Sequence, residues 1–502
     1  MEKSIEKTFW LTFAAALIIK MFLALLIPMT SDEAYFVLWG RYVDFGYYDH
    51  PPMIGWLLYL LTRLGSSDLL MRMPAILFSS LAGAGIYLVL RPYDRVKAAL
   101  TGMLFTLSPI NVLNVLVTTD APLLIFSFLS GCFFYRAREE DTMAHYALSG
   151  AMLGLAFLSK YFAVLLGLAY LVYFLSTKKT GKRAGGLALL YLCVVPFVLV
   201  NVYWNYTHCW ANIMFNVFNR NRQEVFSLGK MATFAVCQLY LLTPPVIYFL
   251  YKKRKSLREL WAGRGPLEVF FVLFAVPLAV FAVLSFKKVI GLHWVLSFYP
   301  FLFLCVPLLL NESELVKSIK FMTVFTLVHL IMIGAALSLP LSVIKHNKNY
   351  PTIIVGMRPT VVLTALLPYI NTYQLATPSY ADSALLEYHF NRHVAVFGGG
   401  SHHARHDDIL TDFTALNGSN ILILRTSSPR SDEYQQYFVK VEVRPVRIEE
   451  ATFYLVLGQG FRYPVYRQQV LEPIRQKYYD IPTWLPVKSC YFREKYFKDS
   501  GK

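Results

Sequence analysis

The chain has 502 residues, of which 56% are hydrophobic, 16% aromatic and only 16% charged, against roughly 25% charge in an ordinary soluble domain. That composition excludes a disordered chain, a coiled coil, a small disulfide scaffold and an ordinary soluble enzyme. The net charge of +17 comes from 48 Lys+Arg against 31 Asp+Glu. It is what a polytopic membrane protein accumulates in its cytoplasmic loops, and no zinc-finger spacing or helix-turn-helix signal supports a nucleic-acid partner.

A length criterion of about 20 apolar residues predicts about eleven helices. They lie near 8–29, 72–90, 97–113, 119–136, 144–159, 161–176, 186–203, 230–251, 266–285, 291–310 and 320–341. The run from Phe9 to Met29 is long enough to span and lacks a small-residue cleavage site, so it reads as a span and not as a cleavable signal. The apolar window 53–64 is too short to cross and reads as a helix lying in the interface. With the N-terminus inside, the inner segments hold Lys3, Lys7, Arg91, Arg95, Arg136, Arg138, Lys178, Lys182, Lys252, Arg254 and Lys317, while the outer short loops hold fewer bases. This orientation obeys the positive-inside rule and puts the chain after about residue 342 outside the cytoplasm.

From 342 onward the polarity becomes ordinary. Val394–Phe397, Ile421–Leu424, Val439–Val443 and Phe453–Leu457 read as strands, and Asp407–Leu416 and Arg467–Tyr479 as helices. The expected architecture is an all-α membrane domain of about 11 to 13 spans over 1–341, with an outer loop at 30–71, followed by an extracytoplasmic α/β domain over 342–502. Cys132, Cys193, Cys237 and Cys305 sit in apolar runs as packing residues. Cys209 and Cys490 sit in polar segments, and whether they bridge is left open by the sequence.

Ionisable residues near a membrane core are costly, so their placement is informative. They gather at the outer ends of helices. The loop after the first span carries Asp32 and Glu33, then Tyr47, Tyr48, Asp49, His50, Pro51 and Pro52. Asp120 follows Thr118-Thr119, Lys160 stands alone between two apolar runs, and a longer loop holds Trp204, His208, Trp210, Arg220 and Arg222. Lys287, Lys288, His293 and Trp294 come from a further loop. Each residue alone has a structural reading: Asp32 and Asp120 as helix caps, the aromatics as an interfacial belt. Lys160 resists it best, because a lone cation between spans demands an anion.

At this membrane face a sugar donor brings its activation on a lipid-linked phosphate. Lys160 and Arg220 suit such a phosphate, a carboxylate suits the deprotonation of an acceptor hydroxyl, and Trp and Tyr rings suit the apolar faces of a pyranose. In the tail, His402 and His406 are spaced i,i+4 within Gly398-Gly399-Gly400-Ser401-His402 and onward. No Glu completes a metalloprotease motif, and the segment reads as a Gly-rich turn followed by a polar helix start at Asp407-Asp408.

The stretch Ser31-Asp32-Glu33-Ala34-Tyr35 through Tyr47-Tyr48-Asp49-His50-Pro51-Pro52 resembles the first extracytoplasmic loop of the bacterial protein-mannosyltransferase-like superfamily. These are GT-C fold glycosyltransferases, among them the lipid A aminoarabinose transferase and lipid A galacturonosyltransferases. Thr119-Asp120-Ala121-Pro122, Leu158-Ser159-Lys160, Trp204-Asn205 with His208 and Trp210, and His293-Trp294 are similar in the same order. The resemblance implies an inverting transfer from an undecaprenyl-phosphate sugar to lipid A or another envelope glycolipid, at the outer face of a bacterial inner membrane.

On the same ground Asp32 matches the catalytic carboxylate and Asp120 the second-loop acid that holds the acceptor. Lys160 matches the lysine on the donor phosphate, helped by Arg220, Arg222 and His50. Glu33, Tyr48, Asp49, His208, Trp210 and His293 match the surrounding substrate-binding positions. Asp49-His50 stands where the aminoarabinose transferase has an acid followed by Lys, a departure that weakens aminoarabinose as the transferred sugar. Some relatives hold zinc, and Asp49 and His208 are the matching ligands; no other cofactor is expected.

One displacement with one base needs no covalent intermediate. A retaining mechanism would need a second carboxylate about 5 Å from the first, and Glu33, a helix neighbour of Asp32, points elsewhere. Two readings compete within and outside this class. One is a protein O-glycosyltransferase of the same fold. The other is a lipid or sugar transporter or flippase, which predicts mid-span charges and inverted repeats.

Overall fold

The computed structural model describes residues 2–177, 180–221, 225–256, 267–401 and 405–498. The chain divides into two compact units. One comprises Met1–Ile27, Gly65–Val200 and Gln223–Leu337; the other comprises Pro28–Leu64, Asn201–Arg222 and Ser338–Lys502. In this division residues 28–64 and 201–222 group with the C-terminal part, which begins at Ser338.

The first unit is helical and holds the greater part of each of the eleven apolar windows. Among the described residues five helices are long and apolar enough to cross a membrane: Glu2–Leu26, Asp68–Leu90, Gly181–Thr207, Leu292–Leu309 and Glu312–Ser338. The window at 230–251 is a bent pair, Leu228–Leu242 and Pro244–Lys252, turned by 96°. The break falls at Thr243, before Pro244-Pro245, where the ring removes a donor and forbids the preceding helical conformation. Likewise 97–113 is split into Arg95–Thr106 and Pro109–Val112 by Pro109. Shorter apolar helices are Met143–Ser159, Ala163–Ser176 and Glu268–Leu284.

Large rings fill this unit's core, with Phe9 on Tyr87, Phe134 on Tyr170 and Phe105 on Phe303. Small residues let the backbones meet: a Cβ on Gly150 would stand 2.2 Å from the carbonyl oxygen of Leu190. Lys20, inside the first span, is fully buried. Its ammonium donates to Ser79 Oγ at 2.6 Å, Ile76 O at 2.9 Å, Ser80 Oγ at 3.0 Å and Asn111 Oδ1 at 3.1 Å. A buried cation demands such acceptors, so Lys20 stitches the first span to its neighbours.

The second unit is built on a five-stranded sheet of order β2-β1-β3-β5-β4. Its strands are β1 (Gln374–Thr377), β2 (Ala395–Val396), β3 (Ile421–Arg425), β4 (Phe438–Ile448) and β5 (Ala451–Phe461). β1 pairs in parallel with β2 and β3, and the helix Tyr380–Phe390 makes the β1-to-β2 crossover that parallel pairing requires. β4 and β5 form a hairpin whose loop residues Glu449 and Glu450 both have positive φ, at 50° and 63°, matching the twist of the strands. The edge strand β4 is protected by Lys440, Glu442, Arg444 and Pro445.

Two fastenings hold the outer loops within this unit. The helix Ser31–Arg41 lies on the helix Tyr380–Phe390, where Arg41 donates to Glu387 O at 3.3 Å and Tyr388 O at 3.0 Å, and Tyr42 donates to Glu387 Oε1 at 3.0 Å. Segment 201–222 is joined to the chain end by the disulfide Cys209–Cys490. Trp210 Nε1–H donates to Pro486 O at 2.7 Å beside it.

Candidate active site

In the second unit the site begins at a helix start. Thr30 caps the helix Ser31–Arg41: its Oγ1 accepts from Glu33 N at 3.3 Å, and Glu33 Oε2 accepts from Thr30 N at 3.1 Å. Glu33 therefore closes a capping box and is buried. That leaves the cap to Thr30 and Glu33 and presents Asp32 at the exposed face, where Tyr380 Oη–H donates to Asp32 Oδ1 at 3.2 Å.

One turn on, Tyr35 donates to Asp49 Oδ1 at 3.2 Å, and its ring meets Tyr380 edge-on at 5.5 Å. Burial pushes the Asp49 carboxyl up to about 7; the Tyr35 hydrogen bond and the charge of Arg220 pull against that, and the charge of Asp32 adds to it. Desolvation and the charge of Asp32 likewise raise the Tyr380 hydroxyl, which stays protonated as a donor.

The loop carrying Asp49 and His50 is held by asparagines. Asn212 donates to Tyr47 O at 2.9 Å and Asn216 to Asp49 O at 3.1 Å. Asn219–Asn221 is a short turn that carries Arg220 near enough for its charge to act on Asp49. His50 packs edge-on to Phe36 at 6.1 Å. Tyr48 is fully buried against Phe215 and Tyr479, and its hydroxyl has no hydrogen-bond partner among the described residues. Arg222 and His402 lie outside the described residues.

His208 stacks on Trp204 at 4.6 Å, its Nδ1 lies 2.9 Å from Trp204 O, and its Nε2 faces Asp44 at 3.7 Å. The two residues expected to hold zinc each have protein partners. Asp49 is engaged by Tyr35 and His208 by Trp204 and Asp44, and no group of three or more His, Cys, Asp or Glu suited to a metal occurs among the described residues.

In the first unit the structure pairs two residues 40 positions apart. Lys160 Nζ lies 2.7 Å from Asp120 Oδ1 and 2.8 Å from Oδ2. Both are buried, 7% and 5% exposed. Asp120 opens the helix Asp120–Glu140 without capping it, and Lys160 ends the helix Met143–Ser159, so two helix ends present the pair. The ammonium also sits over the Phe162 ring at 5.1 Å, and Phe162 meets Trp294 at 4.9 Å. His293, beside Trp294 on the short helix Leu292–Phe298, is exposed.

Of the expected residues, the structure brings together Asp32, Asp49 and Arg220 in one unit and Asp120 with Lys160 in the other. Sequence reasoning missed Tyr35 and Tyr380. Tyr35 stands three residues after Asp32 on one helix, a spacing that puts both on one face. Tyr380 lies 348 positions away and gave no signal.

The fold matches solved structures. The crystal structure of ArnT from Cupriavidus metallidurans in the apo state superposes with a TM-score of 0.63 at 15% identity, covering 90% of this chain and 98% of that one. The chain has a GT-C fold of the ArnT type. The same ArnT bound to undecaprenyl phosphate matches this GT-C fold with a TM-score of 0.62 at 16% identity, covering 89% and 97%.

The family model described as dolichyl-phosphate-mannose-protein mannosyltransferase matches residues 49–204, a stretch holding Asp49, His50, Asp120 and Lys160. Lipid A galacturonosyltransferase RgtD of Rhizobium johnstonii is 27% identical over 189 residues, 35% of this chain. The match spans 38% of that relative's length.

Proposed function

We propose that the protein is an inverting glycosyltransferase that moves a sugar from a polyprenyl-phosphate donor to lipid A or another envelope glycolipid at the outer face of the inner membrane. The observation that carries this reading is Asp32. It is exposed at a helix start, released from capping by Thr30 and Glu33, and held by the Tyr380 hydroxyl. An acid so placed is suited to act as a general base. The GT-C fold and the ArnT structure bound to undecaprenyl phosphate support a lipid-linked donor, and the likeness to a lipid A galacturonosyltransferase supports a lipid A-like acceptor.

In this reading Asp32 accepts the acceptor hydroxyl proton as the oxygen attacks the anomeric carbon. The bond from that carbon to the phosphate oxygen breaks, and the polyprenyl phosphate leaves with the bonding pair. Lys160 and Arg220 stabilise the leaving charge, a task His50 shares in this reading, and Asp120 holds the Lys160 ammonium ready by its bidentate pair. Asp49 and Tyr35 shape the acidic side of the site. The disulfide Cys209–Cys490 favours an oxidising compartment for the second unit and thus its periplasmic placement.

Mass spectrometry of envelope lipids from cells with and without the gene tests the reading. The expected result is a glycolipid whose mass falls by one sugar residue when the gene is lost. An unchanged lipid profile with a sugar lost from a protein would select the protein O-glycosyltransferase, and no change in either would remove the transferase reading.

A further inference from the structure

Within the second unit, residues 201–222 hold the loop that carries Asp49 along its whole length. Trp204 Nε1–H donates to Asp44 Oδ2 at 2.9 Å. Gly46 lies against the same indole, where a Cβ would stand 2.4 Å from Trp204 Cδ2, so any larger residue would push the ring away. Further along, Asn212 donates to Tyr47 O and Asn216 to Asp49 O. Asn216 also donates to Asn212 Oδ1 at 2.9 Å, which makes one bracket of the two amides. Both loop acceptors are backbone carbonyls, so the bracket fixes the path of the loop.

The bracket is forced into place. Between Trp204 and Asn212 the chain turns through Cys209 and Trp210, both with positive φ, at 58° and 52°. Successive non-glycine residues in the left-handed region cost free energy and persist only where their surroundings over-determine them. Here the surroundings are the chain end. Lys488 N–H donates to Tyr206 O at 3.0 Å, Cys209 N–H to Ser489 O at 3.3 Å and Ser489 Oγ–H to Thr207 O at 2.6 Å. The disulfide Cys209–Cys490 closes the same seam across 281 positions, and Asn212 follows the bridged Cys209 by one short turn.

We propose that the Cys209–Cys490 disulfide is a positioning strap for the site, and that the loop carrying Asp49 and His50 takes its working position only once the bridge has formed. Without it, hydrogen bonds alone would hold 206–209 to 488–489. Each contributes modestly against the entropy of ordering two segments so far apart in the chain.

A newly made chain carries two thiols at these positions. In an oxidising compartment an oxidised dithiol carrier exchanges with them. The S–S bond forms between Cys209 and Cys490, and the carrier takes up two electrons and two protons. Oxidation thereby completes the site. The consequence for sugar transfer rests on the proposed function; the consequence for the loop does not.

Hydrogen exchange of the full-length protein in detergent, read by mass spectrometry, tests the strap. Dithiothreitol reduces the bridge to two thiols and leaves as its own cyclic disulfide. Peptides covering 44–52 are then expected to exchange about tenfold faster, while peptides of β5 keep their rate. Reoxidation with oxidised glutathione should restore the loop. The double variant Cys209→Ser with Cys490→Ser should match the reduced protein. Asn216→Ala, its bridge intact, should speed the same peptides by a similar factor. In a deletion strain the double variant should return about tenfold less of the glycolipid sugar increment than the wild type. Unchanged exchange over 44–52 in both the reduced protein and the double variant would overturn the strap, as would an acceleration spread equally over β5. A full sugar increment from the double variant would overturn the need for the bridge. No increment from the wild type would instead remove the transferase reading, and the exchange result would still decide the strap.

Discussion

A lysine ammonium removed from water needs acceptors or an anion, and where Lys20 takes neutral oxygens Lys160 finds both oxygens of Asp120. Removing one partner of a buried pair leaves the other uncompensated, at a cost of about 3–5 kcal/mol. Lys160→Ala should therefore lower the unfolding temperature of the purified protein as well as its donor affinity. The pair Asp120→Asn with Lys160→Met separates the two effects: stability should largely return, and polyprenyl-phosphate binding should not. Tyr380 is a positioning residue for Asp32, and Tyr380→Phe should lower kcat about tenfold, the value of one charge-assisted hydrogen bond, with the donor KM unchanged. Steady-state kinetics reads that split. At this scale the sequence disclosed that Lys160 needs an anion but not which one. It disclosed Asp32 but not Tyr380, because a hydrogen bond between residues 348 apart leaves no trace in local spacing. Tyr48 and Trp210 looked like site aromatics, yet one is core and the other is spent on Pro486 O.

Helices were legible wherever apolar runs were long, since periodic burial dominates their sequence signal. Their breaks were less so: the 96° turn at Thr243 needed the two prolines to be weighed above the apolar run that contains them. Of the strands, β2, β3, β4 and β5 stand where strand-like runs placed them, and β1 was missed because Gln374–Thr377 is only four residues long. The crossover helix Tyr380–Phe390 was missed as well, although it holds the helix that carries Asp32.

His393 braces it. Its Nδ1 lies 2.9 Å from Glu387 Oε2 and its Nε2 2.8 Å from Thr411 Oγ1. Burial lowers the affinity of this imidazole for a proton, but the Glu387 hydrogen bond and the charges of Asp407 and Glu387 outweigh it and raise the group above its ordinary value; Lys495 opposes them. A histidine raised in the folded state adds stability that is fully present below its unfolded value of about 6.5. That stability is lost as pH climbs through the raised value. Hydrogen exchange of the helix Tyr380–Phe390 should accelerate over that window beyond the intrinsic pH trend, and His393→Gln should remove the excess.

On the scale of the whole molecule, composition and loop charge were enough to predict a polytopic membrane protein with a polar α/β tail. The grouping of loops 28–64 and 201–222 with that tail was not predicted, and its one clue was the pair of cysteines in polar segments, Cys209 and Cys490. A reporter fused after residue 345 should be active only outside the cytoplasm; activity only inside it would reverse the orientation. The central claim is that Asp32 is the base of a sugar transfer from a polyprenyl phosphate. It is tested most directly by restoring the gene to a deletion strain as wild type or as Asp32→Asn and weighing the envelope glycolipids. The wild-type chain is expected to return the sugar increment and Asp32→Asn, inserted at equal level and still binding donor, to fail, a loss of at least about 10²-fold. Full restoration by Asp32→Asn would contradict it.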